Sequence, residues 1–258
     1  MKINKLNFSF NELFSRHKMP CKTSSVQTQN TSRQNGIFVK TIKTDAAQQA
    51  TINQALVELS GAVFDKNDSR YMKNLGINLP FSSGLEAVNY LKNQNAKIMY
   101  AEFSDKKVHA CLDTTGKTPS ILINADYKNL TEFDDILAIS EAIAHETGHM
   151  KDNDILNSIS EEIDCLALNV LVHRSHRKKY PKSLHDKSLP LYSEGVNLYS
   201  KLFFDSDPKK TALKQRIGDK YGYLEISSPN HPESKLSTEI KAISENKSKY
   251  GLNTNRRG

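Results

Sequence analysis

Tryptophan is absent from this chain, and cysteine occurs only at Cys21, Cys111 and Cys165. The three are widely spaced, odd in number and form no C-x-x-C pair. That excludes a disulfide framework and favours a reducing compartment as the place of work. None stands in a pattern that suggests a catalytic thiol, so buried or inert cysteines are expected. Long apolar runs are missing too. Nothing approaches the length of a membrane span, and the first residues show no apolar core followed by a small-residue cleavage site. The expectation is a chain not routed through the general secretory pathway.

What is present is a soluble, globular composition with polar extensions. The 258 residues are 37% hydrophobic and 25% charged, enough for one domain or a small two-part enzyme with a substantial core. Lys and Arg outnumber Asp and Glu by 36 to 29, a formal net charge of +7. The surplus gathers around Arg174 to Lys187 and in the tail, which permits a phosphate-rich or acidic partner without requiring one. Within residues 1–40, the stretch from Thr23 to Asn35 is almost wholly Ser, Thr, Gln and Asn. Such a stretch cannot bury enough apolar surface to offset its ordering entropy, so a disordered leader is expected. The sharper alternative is an address for a dedicated secretion machine. Residues 251–258 read as a flexible basic tail.

Periodicity predicts a helix from Asp45 to about Phe64, its stripe being Ala50, Ile52, Ala55, Leu56, Leu59 and Val63. A second helix, Gly84 to Asn93, carries Leu85, Val88 and Leu91. Three strand-like runs follow at 97–103, 108–112 and 120–125, and the polar turns between them make an antiparallel meander the simplest arrangement. His109, with apolar neighbours, reads as structural. From Thr131 to about Lys151 a long amphipathic helix is expected, with Thr131 as N-cap and Phe133, Ile136, Leu137, Ile139 and Ile143 on its apolar side.

Near the end of that helix stands His145-Glu146-Thr147-Gly148-His149, an H-E-x-x-H pattern. A helix repeats every 3.6 residues, so histidines four apart share a face and can hold one metal ion together. Glu146 can reach a water on that metal. Zinc held by neutral imidazoles lowers the pKa of bound water to about 7, and the carboxylate can take the proton and pass it to a leaving amine.

On these residues, the region from about 97 to 170 resembles the zincin metallopeptidases, of the gluzincin branch if the third ligand is a glutamate. The resemblance implies an α+β fold: a small antiparallel sheet, the H-E-x-x-H helix, and a mainly helical C-terminal part, spanning about 41–250. It also implies a strand at the edge of the active-site cleft that pairs with extended substrate, for which Ser120 to Ala125 is the expected segment.

Catalytic zinc takes a third protein ligand. Asp152 and Ile155 stand where a metzincin would need Gly and His. The next helix, from near Ser158, carries Ser160-Glu161-Glu162-Ile163-Asp164-Cys165-Leu166-Ala167. HtpX-like, CAAX-prenyl-type and ImmA/IrrE peptidases carry a similar element: a ligand Glu, an Asp or Asn four residues later, then an Ala. Aligning on Asp164 and Ala167 puts that glutamate on Ser160, so this sequence departs by one residue and Glu161 is the nearest substitute. The resemblance thus implies His145, His149 and Glu161 as zinc ligands and Asp164 as the group that orients a ligand histidine. Glu162 and Asp164 remain alternatives for the third ligand. Ser158-x-x-Glu161 also fits a capping box, in which Glu161 satisfies the helix start.

Farther on, His173 to Lys179 is a basic run, read as a solvated helix end whose histidines lack acidic companions; a phosphate-binding patch is the rival. Residues 188–204 and 207–221 look helical, with Tyr192 and Tyr199 read as core. His231-Pro232 precedes a late helix, similar to a His-Pro element of HtpX-like proteases, although their following arginine has no match. That likeness implies His231 as a stabiliser of the tetrahedral oxyanion, beside the plainer reading of a helix entry.

The expectation is a monomeric zinc-dependent endopeptidase with Glu146 as general base, Zn2+ as cofactor, a protein as substrate, and no stable nucleic-acid or membrane partner. Small bacterial effector metalloproteases are similar in having a polar leader, one domain around H-E-x-x-H and no disulfides. That likeness implies delivery by a dedicated secretion system into a host cytoplasm, with the bacterial cytoplasm as the other location. The alternatives are an ImmA/IrrE-like regulatory peptidase, for which no helix-turn-helix region stands out, and a non-catalytic binding protein on a zincin scaffold. The complete set of His145, Glu146 and His149 argues against the second.

Overall fold

The computed structural model describes residues 26–27, 38–104, 108–152, 157–183, 193–204 and 210–246. Most of the expected leader and all of the expected tail lie outside the described residues. Strands β1 (Val26–Gln27), β2 (Phe38–Thr41), β3 (Lys97–Phe103), β4 (Ala110–Asp113) and β5 (Ser120–Asn124) form one sheet of order β1-β2-β3-β5-β4. The helices are α1 (Ala46–Ser60), α2 (Lys66–Asn74), α3 (Gly84–Asn93), α4 (Phe133–Lys151), α5 (Ile159–Lys179), α6 (Ser193–Phe204), α7 (Lys210–Tyr221) and α8 (Lys235–Glu245). The architecture is α+β with a mainly helical remainder. Among the described residues no helix is long and apolar enough to cross a membrane.

The sheet is not the expected antiparallel meander. β3 pairs in parallel with β5, in register Ile98 to Ile121 and Tyr100 to Ile123, and β4 lies beyond β5, antiparallel to it. Burial gives the reason. Ile121 and Ile123 of β5 enter the main core, while Leu122 packs with Val39, Ala101 and Phe103 in a smaller cluster. A strand buried on both faces belongs inside a sheet, and the half-exposed β4 takes the outer position. The edge that was expected at Ser120 to Ala125 is therefore β4.

Local chemistry starts most helices. Asp45 and Gln48 form a capping box at α1, Ser83 caps α3, and Ser234 with Ser237 closes a capping box at α8. Thr131 does not cap α4: the N-cap position is Glu132, whose side chain makes no capping hydrogen bond among the described residues. Ile52, Ala55, Leu56 and Leu59 of α1 are buried as expected, but Ala50 is exposed, as are Val63 at 76% and Leu85 at 52%. α3 crosses α1 at Gly84, where a Cβ would meet the Leu59 carbonyl oxygen at 1.8 Å, so only glycine allows this approach.

Helices α4 and α5 form the centre. Every residue from Leu137 to Gly148, and every residue from Ile159 to His173, is buried. α4 is thus not the one-sided amphipathic helix its sequence suggests. It is covered by α1, α5 and β4. Glu141, His145, Glu146, Glu161, Glu162 and Asp164 consequently lie out of water, where a charge persists only with a partner. Gly148 permits the close crossing, since a Cβ there would meet Cys165 Sγ at 2.7 Å.

Candidate metal centre

His145 and His149 lie one turn apart on α4, and their Nε2 atoms converge to 3.2 Å. Glu162, in the first turn of α5, faces both. Its Oε2 is 3.8 Å from His145 Nε2 and its Oε1 is 3.7 Å from His149 Nε2. One ligand atom from each of the three residues lies within 4.8 Å of the other two. His145 and Glu162 are buried and His149 nearly so, and Glu162 Oε2 has no hydrogen-bond donor among the described residues. Two imidazoles and a carboxylate converging away from water form a group that could hold a metal ion.

The expected third ligand, Glu161, is placed elsewhere. Its Oε1 lies 2.6 Å from His149 Nδ1, the ring nitrogen directed away from the cluster. An Nδ1–H donated to this carboxylate would let Nε2 offer its lone pair to a cation that displaces the Nε2 proton, as an outer carboxylate does for a metal-bound histidine. Ser158 Oγ does accept from the Glu161 backbone N–H at 3.1 Å, so the helix cap exists, while the Glu161 side chain serves His149. Glu161 thereby takes the place that was expected for Asp164.

Asp164 turns the other way. It accepts from the Asn78 backbone N–H at 2.9 Å and pairs with His231 Nδ1 at 2.7 Å. His231 Nε2 faces Asp152 Oδ2 at 3.3 Å. His231 Nδ1 is thus engaged by Asp164, and its Nε2 lies within ion-pair distance of Asp152.

Electrostatics separates the two cluster histidines. Burial, and then the neighbouring His149, push His145 well below the usual imidazole range. Burial also opposes charge on His149, but Cys165, Glu162 and Glu161 beside it overcome this and hold it well above that range. Glu146 sits next to His145, where burial pushes its carboxyl up to about 7, and the Leu112 backbone N–H of β4 lies against it. Burial pushes the Cys165 thiol up to about 12. His109 pairs with the Tyr127 hydroxyl.

A second buried polar group was not legible in the sequence. Glu141, one turn before His145, lies 3.0 Å from His173 Nδ1 and 3.5 Å from His176 Nδ1. His173 Nε2 lies 3.0 Å from Asn197 Oδ1 of α6, which also accepts from Arg177. The two histidines are therefore not part of a solvated helix end. Their acidic companion stands 32 residues upstream on another helix, where inspection of the basic run could not find it. A cavity of about 700 Å³ lies by α2 and α5, with His173, Arg174, Arg177 and Lys178 in its wall, away from the His145–His149–Glu162 cluster. Arg174 is held by Asp68 at 2.7 Å and Lys178 by Asp65 at 3.5 Å.

Comparison with known proteins returned nothing: no family model, no curated protein and no solved structure matches this chain.

Proposed function

We propose that this protein is a zinc-dependent endopeptidase whose metal is held by His145, His149 and Glu162. The observation that carries the reading is the convergence of both motif Nε2 atoms on the Glu162 carboxylate, with Glu146 adjacent. A bound zinc would supply Lewis acidity and an activated water. Glu146 is the group that takes and returns the proton: its buried carboxyl, raised to about 7, titrates close to neutral pH. Glu161 holds the His149 ring in the ligand tautomer. β4 contacts α4 and pairs with β5 on one side, so an extended peptide added along its other edge would pass the Glu146 carboxylate. Delivery into a host cytoplasm, as for bacterial effector proteases, is the accompanying proposal on location and rests on the composition of residues 1–40.

The test is hydrolysis of a peptide library by the purified chain with one equivalent of zinc, with excess chelator, and as Glu146→Gln. Cleavage that chelator removes and zinc restores, with Glu146→Gln still loading zinc but slower by about 10²–10⁴-fold, is the expected result. Zinc loading without cleavage by the unaltered chain would leave a metal-binding protein rather than a peptidase. Equal cleavage by Glu146→Gln would remove this carboxylate from the chemistry.

A further inference from the structure

The two helices that carry the candidate ligands are tied together beside the cluster. Asp152 is the C-cap residue of α4, three positions after His149. Asp164 lies in α5, two positions after Glu162. His231, from the segment before α8, stands between them: Nδ1 is 2.7 Å from Asp164 Oδ2 and Nε2 is 3.3 Å from Asp152 Oδ2. The neighbours complete the clasp. Asn230 Nδ2 donates to Asp152 Oδ1 at 2.7 Å, the Asn78 backbone N–H donates to Asp164 Oδ1 at 2.9 Å, and Asn78 Nδ2 donates to the Asn230 carbonyl at 3.1 Å. The same C-terminal segment also runs along the start of α5, where the Ile159 and Ser160 backbone N–H groups donate to the Glu225 and Ile226 carbonyls at 2.9 and 3.0 Å.

We propose that His231 is a positioning residue for the metal centre: by bridging Asp152 and Asp164 it sets the separation of His149 and Glu162 that one cation must span. The proposal rests on the metal-site reading above. His231 is hydrogen-bonded to Asp164 through Nδ1 and lies in ion-pair contact with Asp152 through Nε2, while the neighbouring Asn230 amide holds Asp152, so one short segment fixes both helices. Without it the two carboxylates face each other without a shared donor, and the helix ends move apart. The spacing matters because metal affinity depends on ligand atoms held within fractions of an ångström, and outer groups that orient ligands are typically worth 10–100-fold in affinity. His231 thus enters the site through its neighbours and not by touching substrate.

The test is zinc affinity by chelator competition, with melting of the metal-free protein measured alongside. The proteins are the unaltered chain, His231→Ala, His231→Gln and Tyr180→Phe. Tyr180→Phe removes the 2.8 Å bond to Glu58 at the opposite end of α5, and so controls for general loosening. The expected result is a zinc Kd about 10–100-fold weaker in His231→Ala, a smaller loss in His231→Gln, which keeps one donor, and no change in Tyr180→Phe. Millimolar imidazole should recover part of the His231→Ala loss. If His231→Ala does not fold, His231→Gln decides. An unchanged zinc Kd in a folded His231 variant overturns the proposal while leaving the metal site standing. So does a Tyr180→Phe loss as large as that of the His231 variants. Failure of the unaltered chain to bind zinc overturns the metal-site reading itself, and this proposal with it.

Discussion

Glu161 Oε1 stands 2.6 Å from His149 Nδ1, while the adjacent residue Glu162 faces the Nε2 side of the same ring at 3.7 Å. Two consecutive carboxylates therefore address opposite ends of one imidazole and should separate in a metal-binding experiment. Glu161→Ala is expected to retain zinc but bind it about 10–100-fold more weakly, through a poorly oriented His149. Glu162→Ala is expected to lose stoichiometric zinc under the same conditions. Metal content after dialysis and chelator competition give both numbers. The reverse pattern would restore Glu161 as the ligand.

The Gly148–Cys165 contact makes a prediction with a change of sign. In a helix interior Ala is favoured over Gly by up to about 1 kcal/mol, yet Gly148→Ala would drive a Cβ to 2.7 Å from Cys165 Sγ. Overpacking of this kind costs about 1–3 kcal/mol, so Gly148→Ala is expected to destabilise. Removing the sulfur leaves Cys165 Cβ and Pro80 Cγ at 3.5 Å, ordinary contact. In a Cys165→Ala background the same substitution should be neutral or stabilising. Denaturant melts of the four proteins complete the cycle. Additive effects would show that the helices shift apart instead.

The Glu141–His173 pair predicts how stability depends on pH. Burial opposes both charges, but each partner overcomes it: His173 is raised above the usual imidazole range and Glu141 is lowered below the usual carboxylate range. A raised histidine contributes fully below its unfolded pKa of about 6.5, and the contribution fades as pH rises through the folded value. A lowered carboxylate contributes above its unfolded pKa of about 4.3, and the contribution is lost as pH falls through the folded value. The pair therefore contributes most between about pH 4.3 and 6.5. Glu141→Gln leaves His173 without its buried counter-ion and should cost about 3–5 kcal/mol in that window, less toward pH 9. Melting temperature against pH, for both proteins, measures this. Equal pH profiles would mean the pair is not ionised.

Much of the secondary structure was legible because it is local. The start of α1 near Asp45, the cap of Ser158, the strand runs of β3 and β5, and the long helix carrying H-E-x-x-H each depend on residues within a few positions of one another. The two histidines of one helical face followed from the 3.6-residue repeat alone. Strand order did not follow. The polar turns are equally compatible with a meander, and only burial of β5 on both faces moves β4 to the edge.

The carboxylates mark the boundary most sharply. The sequence by itself determined that His145, Glu146 and His149 share one turn of helix, because helical geometry leaves no other outcome. It also placed a glutamate pair at the head of the next helix. Which of that pair meets the histidines was decided by tertiary structure: consecutive helical residues point about 100° apart, so the rotation of α5 against α4 selects one. That rotation depends on the close crossing at Gly148 and Cys165, and on how the Asn78 and His231 segments grip Asp164. The pairing of Glu141 with His173 has the same origin, since two helices can hide a charge at their interface only if packing brings its counter-ion from a distant part of the chain.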